Sequence, residues 1–251
     1  MPDFRNGTVV VTGGSRGIGA SISVELAMLG FQVACLSRSG ELPPTSGLDD
    51  DTRKRLTGMR CDVTDAGSVR DVFSILSQTH GQPVVGLVNN AGVHLQGPSA
   101  TFALADYEHV MTTNATSVLL TSQAAYPHLR EAGSALIVNI GSFYDKLGVK
   151  GNLAYCASKA AVGAMSRCLA VEWARDRIRV VNIAPGYIET DLNRAELGEG
   201  ALRAFLGKRI PAGGPGRTED IGRLVALLFQ LPQSFLTGET LYVDGGQGMA
   251  L

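Results

Sequence analysis

The chain has 251 residues, 18% of which are charged, and a formal net charge of -1. Without a dense basic run it lacks the electrostatic footprint of a protein that binds nucleic acid or an anionic membrane, so we expect a small-molecule partner. No apolar run approaches the roughly 18 to 20 residues of a membrane span, and the opening MPDFRNG has no apolar signal region. The four cysteines and four histidines lack disulfide or metal spacing, which predicts a cytoplasmic protein without a metal.

Short runs rich in β-branched residues alternate with longer helical stretches. Seven runs are predicted as strands, namely residues 8–12, 32–36, 57–61, 84–89, 135–140, 179–184 and 240–243. Most are apolar without alternation, which is typical of parallel strands covered on both faces. The order predicts a Rossmann-like, doubly wound α/β sheet of seven mainly parallel strands, in one dinucleotide-binding and catalytic domain over residues 1–251.

Apolar residues at helical spacing predict helices between these strands. The predicted ranges are 17–29, 68–78, 219–230 and a helix from Tyr155 to about residue 173. Gly30 is expected to end the first helix, and Thr218 to cap the helix at 219–230.

Two segments interrupt the alternation. Residues 39–57 carry a Pro pair and a charge cluster, so the helix after the second strand is expected to be shortened or replaced by a loop. Residues 189–215 show no strand pattern and contain one short amphipathic piece, 201–206. A long insertion near a ligand is typical of a mobile lid, so we expect this segment to close over the substrate.

A glycine-rich turn, TGGSRGIG at residues 12–19, follows the first strand and opens the first helix. Such a turn lets bare backbone N–H groups meet a pyrophosphate at the positive end of the helix dipole. The spacing Gly13-x3-Gly17-x-Gly19 differs from G-x-G-x-x-G, so a simple tight turn is the alternative.

Tyr155 and Lys159 are four residues apart on a predicted helix and therefore share a face. A nearby cation favours the phenolate and lowers the tyrosine pKa, which makes the phenol a usable general acid and base. A surface pair is the alternative. Ser142 and the segment Asn89-Asn90-Ala91-Gly92 each follow a strand, at the sheet edge where ligands of open α/β folds bind.

These residues resemble the short-chain dehydrogenase/reductase superfamily, and most closely its 3-oxoacyl-acyl-carrier-protein reductase branch, over essentially the whole chain. The resemblance is carried by the glycine turn, Asp62, NNAG at 89–92, Asn114, Ser142, Tyr155, Lys159 and PGYIET at 185–190. It implies a catalytic set of Asn114, Ser142, Tyr155 and Lys159. Tyr155 would exchange a proton with a substrate oxygen that Ser142 holds. Lys159 would bind the nicotinamide ribose and hold the Tyr155 pKa down, while Asn114 would position a water that links Lys159 to solvent.

The same resemblance implies homotetramers and a set of cofactor-binding residues. That set is Gly13, Ser15, Arg16, Gly17, Ile18, Gly19, Ser37, Arg38, Asp62, Val63, Asn89, Ala91, Gly92, Tyr155, Lys159, Pro185, Gly186, Ile188 and Thr190.

The second strand predicts NADP(H) in preference to NAD(H). In dinucleotide folds an acid about 20 residues beyond the glycine turn binds the ribose 2′-hydroxyl and repels a 2′-phosphate. Here that strand ends Leu36-Ser37-Arg38-Ser39, without an acid. Arg38 and Arg16 are expected to bind the phosphate, with Ser37 or Ser39 adding a hydroxyl. The alternative is that Arg38 points into solvent.

The leading hypothesis is a reductase of a 3-oxoacyl thioester or another ketone. The alternatives are an NAD-dependent dehydrogenase of a secondary alcohol, sugar or steroid, and a non-catalytic dinucleotide sensor. The intact Ser142, Tyr155 and Lys159 argue against the sensor. His94, Gln96 and the Phe143-Tyr144-Asp145 segment depart from the family pattern, and we expect them to line the substrate pocket.

Overall fold

The computed structural model describes residues 7–79, 81–191, 200–231 and 235–249. Its strands are β1 (Thr8–Thr12), β2 (Gln32–Ser37), β3 (Leu56–Arg60), β4 (Val84–Asn89), β5 (Ala135–Ile140), β6 (Ile178–Pro185), β7 (Ile188–Glu189), β8 (Gly216–Arg217) and β9 (Thr240–Val243). Seven form one parallel sheet in the order β3-β2-β1-β4-β5-β6-β9, which confirms the predicted doubly wound fold. The order reverses direction between β1 and β4, which is where open α/β sheets bind ligands.

The described helices cover both faces of the sheet. They are α1 (Gly17–Met28), α2 (Asp50–Lys54), α3 (Ala66–Thr79), α4 (Leu104–Met111), α5 (Ser117–Glu131), α6 (Leu153–Trp173), α7 (Ala201–Arg209) and α8 (Thr218–Phe229). A π-helical turn, Thr112–Thr116, joins α4 to α5, and a 3-10 turn, Phe143–Lys146, follows β5. Within the described ranges, no helix has the length and apolar character needed to span a membrane.

The strands are apolar because each face of the sheet is buried against helices. In one apolar cluster Ile22 of α1 packs with Phe31 and Phe229, whose rings meet edge to face at 5.7 Å between centroids. A second cluster contains Phe73 of α3 and Leu129 of α5. All five side chains are at most 2% exposed. Burial on both faces accounts for the continuous apolar runs in the sequence.

The ends of two helices test the capping predictions. Gly30 ends α1 as expected: its φ is +99°, and the N–H of Phe31 donates to the carbonyl of Leu26. The prediction for Thr218 was wrong, since Thr218 is the first residue of α8. The carboxylate of Asp220 instead accepts the backbone N–H of Arg217, at 2.7 Å. An acid in the first turn of α8 thus pairs the N–H of the residue that precedes the helix.

The two irregular segments differ in outcome. The only helix in residues 39–57 is the five-residue α2, capped by Asp49, which confirms a shortened helix. In residues 189–215 the absence of strand was wrong at the start, because β7 pairs with β8 and closes the base of the segment. The amphipathic piece is also longer than expected and reaches Arg209. Residues 192–199 of the expected lid, like His80, lie outside the described residues.

A row of polar side chains crosses the apolar sheet. Asn89 of β4 is in register with Asn139 of β5, which is in register with Asn182 of β6, and that residue pairs with Thr240 of β9. The Asn89 amide donates to Asn139 Oδ1 at 2.9 Å, and the Asn182 amide donates to Thr240 Oγ1 at 3.1 Å. The three asparagines are at most 4% exposed.

The row also holds two helices against the sheet. Thr121 of α5 donates its hydroxyl proton to Asn89 Oδ1 at 2.7 Å. Asn139 donates to the hydroxyl of Ser166 in α6 at 2.8 Å. Buried polar groups must be paired, so these bonds fix where α5 and α6 lie along the strands.

We expect Asn139→Ala to lower the free energy of unfolding by about 1 to 3 kcal/mol, because Asn89 and Ser166 each lose a buried hydrogen-bond partner. Urea denaturation followed by circular dichroism measures the change. Gln123→Ala removes an amide from the exposed side of α5 and is the matched control, expected to change stability by less than about 0.5 kcal/mol. Equal losses in the two variants would contradict a structural role for the row.

Candidate active site

The glycine turn lies at the carboxyl end of β1 and runs directly into α1. Gly13 has a φ of +63°, which favours glycine, and a Cβ on Gly19 would lie 2.1 Å from the carbonyl oxygen of Gly13. The backbone is therefore bare where α1 begins at Gly17. The first N–H groups of a helix have no partner within the helix, so this turn fits the pyrophosphate that the sequence predicts there.

Asn90 fastens this turn to the end of β4. Its side-chain amide donates to the carbonyls of Thr12 and Gly13, both at 3.1 Å. The hydroxyl of Thr12 in turn accepts the backbone N–H groups of Asn90 and Ala91, at 3.0 and 3.1 Å. Asn90 was not predicted as a site residue, although its place in the NNAG segment was the available signal.

Three predicted cofactor contacts lie inside the protein. Asn89 belongs to the buried polar row, and its side-chain bonds are to interior residues. Val63 is 9% exposed and Ile188 is 7% exposed, and both pack in the apolar core. The structure therefore does not bring these three side chains to the surface of the site. They pack inside the protein, beneath the strand ends that carry the site.

The segment at 185–190, which the resemblance assigns to cofactor binding, comes back over the glycine turn from β6. Pro185 ends that strand, and the N–H of Gly186 donates to the carbonyl of Val243 at 2.9 Å. Thr190 follows β7, and its Cγ2 would lie 3.7 Å from a Cβ on Gly17. The structure thus brings Thr190 to the start of α1.

The carboxyl ends of β2 and β3 form a charged cavity of about 390 Å³, lined by Arg38, Arg60, Asp62, Asp65 and Ser68. Arg60 is paired in register with Ser37 and was not predicted from the sequence. Hydrogen bonds from Thr64, together with the charge of Arg38, lower the pKa of Asp62. Two guanidinium groups beside a bare glycine turn fit a dinucleotide that carries a 2′-phosphate. Arg16, the other predicted phosphate ligand, is exposed at the start of α1.

Tyr155 and Lys159 lie on one face of α6, as the spacing predicts. The Lys159 Nζ is 5.7 Å from the centre of the Tyr155 ring and donates to the carbonyl of Ile140 at 2.8 Å. A Cβ on Gly92 would lie 3.7 Å from the same Nζ. Lys159 is only 5% exposed and Tyr155 is half-buried, so the two do not form a surface pair.

Burial dominates the ionisation of both groups. It lowers the pKa of Lys159 to about 8. It raises the pKa of Tyr155, while a hydrogen bond from Ser142 lowers it by less. The expected depression of the Tyr155 pKa by Lys159 is therefore wrong for these contacts, because desolvation of the phenolate outweighs the stabilising groups.

Asn114 occupies the middle of the π-helical turn and is 1% exposed. Its Oδ1 accepts the N–H of Val93 at 2.8 Å, and its Nδ2 donates to the carbonyl of Val93 at 2.9 Å. Nδ2 also lies 3.1 Å from the hydroxyl of Ser158, which donates to the carbonyl of Tyr155. Asn114 therefore links the loop after β4 to the helix that carries Tyr155. Short π-helical turns occur frequently at functional sites.

The 3-10 turn after Ser142 supplies an aromatic wall. The N–H of Tyr144 donates to the Ser142 hydroxyl at 3.3 Å, and the hydroxyls of Tyr144 and Tyr187 are 2.9 Å apart. Burial and the hydroxyl of Tyr187 raise the pKa of Tyr144. The Tyr144 and Tyr155 rings meet edge to face at 5.9 Å. Phe143 and Tyr144 are thus mostly buried supports of the site.

Comparisons with known proteins agree with this geometry. A family profile described as enoyl-(acyl carrier protein) reductase matches residues 13–247. The chain is 33% identical over 244 residues to gluconate 5-dehydrogenase of Gluconobacter oxydans, covering 96% of this chain and 94% of that protein. It is 33% identical over 251 residues to the 3-oxoacyl-(acyl-carrier-protein) reductase MabA of Mycobacterium tuberculosis, covering 99% and 95%.

Solved structures show the same architecture. The crystal structure of a gluconate 5-dehydrogenase from Burkholderia cenocepacia in complex with NADP and tartrate has a TM-score of 0.88 and 30% sequence identity. The match covers 98% of this chain and 96% of that one. It therefore includes the strand ends that carry the site.

The buried ammonium of Lys159 predicts a pH-dependent stability. Its folded pKa of about 8 lies below the ordinary value of 10.5, so between these values the unfolded chain binds more protons than the folded protein. We expect the stability of the wild type to rise from pH 8 to 10 relative to Lys159→Met, by about 1 to 3 kcal/mol. Denaturation midpoints at each pH test this, and a constant difference between the two proteins would contradict it.

The cavity at β2 and β3 predicts the choice of cofactor. We expect Arg38→Ala to weaken NADPH binding about ten- to a hundredfold with little effect on NADH, because a charge-assisted phosphate contact is lost. The kcat/KM for both cofactors is the measurement. Arg53→Ala, on the exposed side of α2, is the matched control. An unchanged ratio of the two cofactors in Arg38→Ala would show that Arg38 faces solvent.

Proposed function

The chain belongs to the short-chain dehydrogenase/reductase superfamily and is an NADP-dependent oxidoreductase of ketones and secondary alcohols, and we propose that Tyr155 exchanges the proton with the substrate oxygen. The observation that supports this role is the buried Lys159 ammonium, 5.7 Å from the centre of the Tyr155 ring, with Ser142 near enough to lower the pKa of the phenol. These three groups come from the end of β5 and from α6, and they meet at the carboxyl edge of the sheet.

Ser142 orients the reacting oxygen in this proposal. Its oxygen accepts the N–H of Tyr144, which leaves its own proton free to donate. A carbonyl oxygen that accepts from Ser142 lies beside the Tyr155 hydroxyl and can take its proton. The raised pKa keeps the Tyr155 phenol protonated at neutral pH, so that a proton is present for the substrate oxygen.

Lys159 and Asn114 affect proton transfer at Tyr155 without contacting the substrate oxygen in this proposal. An ammonium near the ring favours the phenolate that remains after proton transfer. With a pKa of about 8, Lys159 is also able to return that proton near neutral pH. Asn114 holds the backbone of Val93 through two hydrogen bonds. It is proposed to position the water through which Lys159 exchanges protons with solvent. When bound, the nicotinamide supplies the hydride for the carbonyl carbon.

The other predicted cofactor ligands have roles that follow from their positions. Backbone N–H groups at Gly13, Ser15, Gly17, Ile18 and Gly19 would hold the pyrophosphate, and Arg16, Ser37 and Arg38 the 2′-phosphate. Asp62 would contact the adenine, and Ala91 and Gly92 the adjoining ribose.

We propose a ketone as the substrate, with a 3-oxoacyl thioester as the first class to test. The likeness to MabA supports the thioester, while the likeness to gluconate 5-dehydrogenase supports a sugar acid as the second candidate. A panel of acetoacetyl-CoA, ethyl acetoacetate, cyclic ketones and, in the other direction, gluconate distinguishes them when it is assayed with both cofactors. Turnover of gluconate alone would overturn the thioester proposal.

Three further properties are proposals. Residues 189–215 form a lid over the substrate, which is supported by the packing of Tyr187 against Leu206 of α7 and against Ile210, which follows that helix. A homotetramer is supported by large exposed apolar side chains, including Val171 at 80% and Leu104 at 70% exposure. A cytoplasmic location is supported by four cysteines that are all unpaired.

We expect Tyr155→Phe to lower kcat about 10²- to 10⁴-fold while NADPH binds normally, because only the proton donor is lost. Steady-state kinetics and a fluorescence titration of NADPH give the two values. Tyr107→Phe, which removes a hydroxyl from α4, is the control and should be unchanged. Turnover by Tyr155→Phe within a factor of two of wild type would rule out its role as the acid.

A further inference from the structure

The loop that carries His94 is held on both sides of that residue. On one side, Asn114 bonds both the N–H and the carbonyl of Val93, at 2.8 and 2.9 Å. On the other, the N–H of Gly97 donates to the carbonyl of Gly151 at 3.0 Å. The backbone of His94 therefore cannot shift without breaking hydrogen bonds.

The exposed imidazole of His94 makes two contacts with α6 and its N-cap. Its ring lies against the ring of Tyr155, with 4.5 Å between centroids and 48° between planes. Its Nε2 is hydrogen-bonded to Oδ1 of Asn152, the N-cap residue of α6. The amide of Asn152 donates to the carbonyl of Lys150 at 3.0 Å, which leaves its Oδ1 facing the histidine. Because that oxygen only accepts, Nε2 is the donor and the ring has one fixed orientation.

A second ring contacts the same phenol. Tyr144 meets Tyr155 edge to face at 5.9 Å and 87°, and its own hydroxyl is bonded to Tyr187. The Tyr155 phenol is thus packed against two rings, with Ser142 in hydrogen-bonding reach. Proton transfer requires an aligned donor, and misplacement of a reacting group by about 1 Å costs about a hundredfold in rate.

We propose that His94, anchored by Asn152, is a positioning residue that holds the Tyr155 phenol in line with the substrate oxygen. The proposal rests on the proposed role of Tyr155 as the acid. His94 acts through the phenol ring, so its removal lowers kcat and leaves KM nearly unchanged. Asn152 acts through His94, so its removal has an effect only when the imidazole is present.

The test is a set of variants assayed with NADPH and the ketone of the panel that has the highest kcat/KM. We expect His94→Ala to lower kcat about 10- to 100-fold with KM within about threefold of wild type. His94→Phe keeps a ring on Tyr155 and should recover part of the loss. His109→Ala, which removes an exposed histidine from α4, is the matched control and should be unchanged.

A double-mutant comparison tests the anchor. Asn152→Ala should lower kcat in the wild-type background and have no effect in the His94→Phe background, because Phe has no N–H to donate to Asn152. Thermal unfolding of each variant ensures that folded proteins are compared.

Three results would overturn the proposal. The first is a kcat for His94→Ala within twofold of wild type. The second is a raised KM of His94→Ala at unchanged kcat, which would make His94 a substrate contact. The third is an equal effect of Asn152→Ala in the wild-type and His94→Phe backgrounds. The Tyr155→Phe variant distinguishes a failure of the positioning role from a failure of the proposed function. If Tyr155→Phe is inactive and His94→Ala is normal, only the positioning role fails. If Tyr155→Phe is active, the proposed function itself fails.

Discussion

The hydrogen-bonded row of Asn89 and Asn139 is the constraint on which the active site depends. A sheet covered on both faces offers no water to a buried amide, so each amide must find a partner in a neighbouring strand or helix. The partners are side chains of α5 and α6, namely Thr121 and Ser166. A helix packed only through apolar contacts could slide along the strands at small cost. The amide bonds permit one position, and that position places Tyr155 at the carboxyl edge.

The same burial sets the chemistry of the site. The side chain of Lys159 extends from α6 to the end of β5. There it donates a hydrogen bond to the carbonyl of Ile140, and solvent is excluded. Desolvation lowers the pKa of the ammonium to about 8 and raises that of the Tyr155 phenol above its ordinary value, so the two values move apart. Lys159 therefore gives up a proton more readily than the phenol does. The packing that fixes the helix thus also keeps Tyr155 in the protonated form that a reduction requires.

Local patterns in the sequence predict the seven strands, the glycine turn and the spacing of Tyr155 and Lys159, because strand and helix periodicity depend on near neighbours. What they miss depends on long-range contacts. Arg60 enters the cofactor cavity only through its register with β2. His94 and Asn152 are 58 positions apart along the chain, and no local pattern shows that they meet. Whether Asp220 or Thr218 caps α8 depends on side-chain reach, which composition leaves open.

The two ends of the proposed cofactor site differ in how deeply their side chains are buried. At the adenosine end, Arg38 and Arg60 are carried at strand ends beside an open cavity, and little of the core depends on their side chains. At the catalytic end, Asn114 and Lys159 are buried, and each is bonded to the backbone of another element. Exchanging a surface arginine changes binding with little effect on stability, whereas exchanging a buried, bonded group changes both. Cofactor preference is therefore the more readily altered property of this fold, and proton transfer the less.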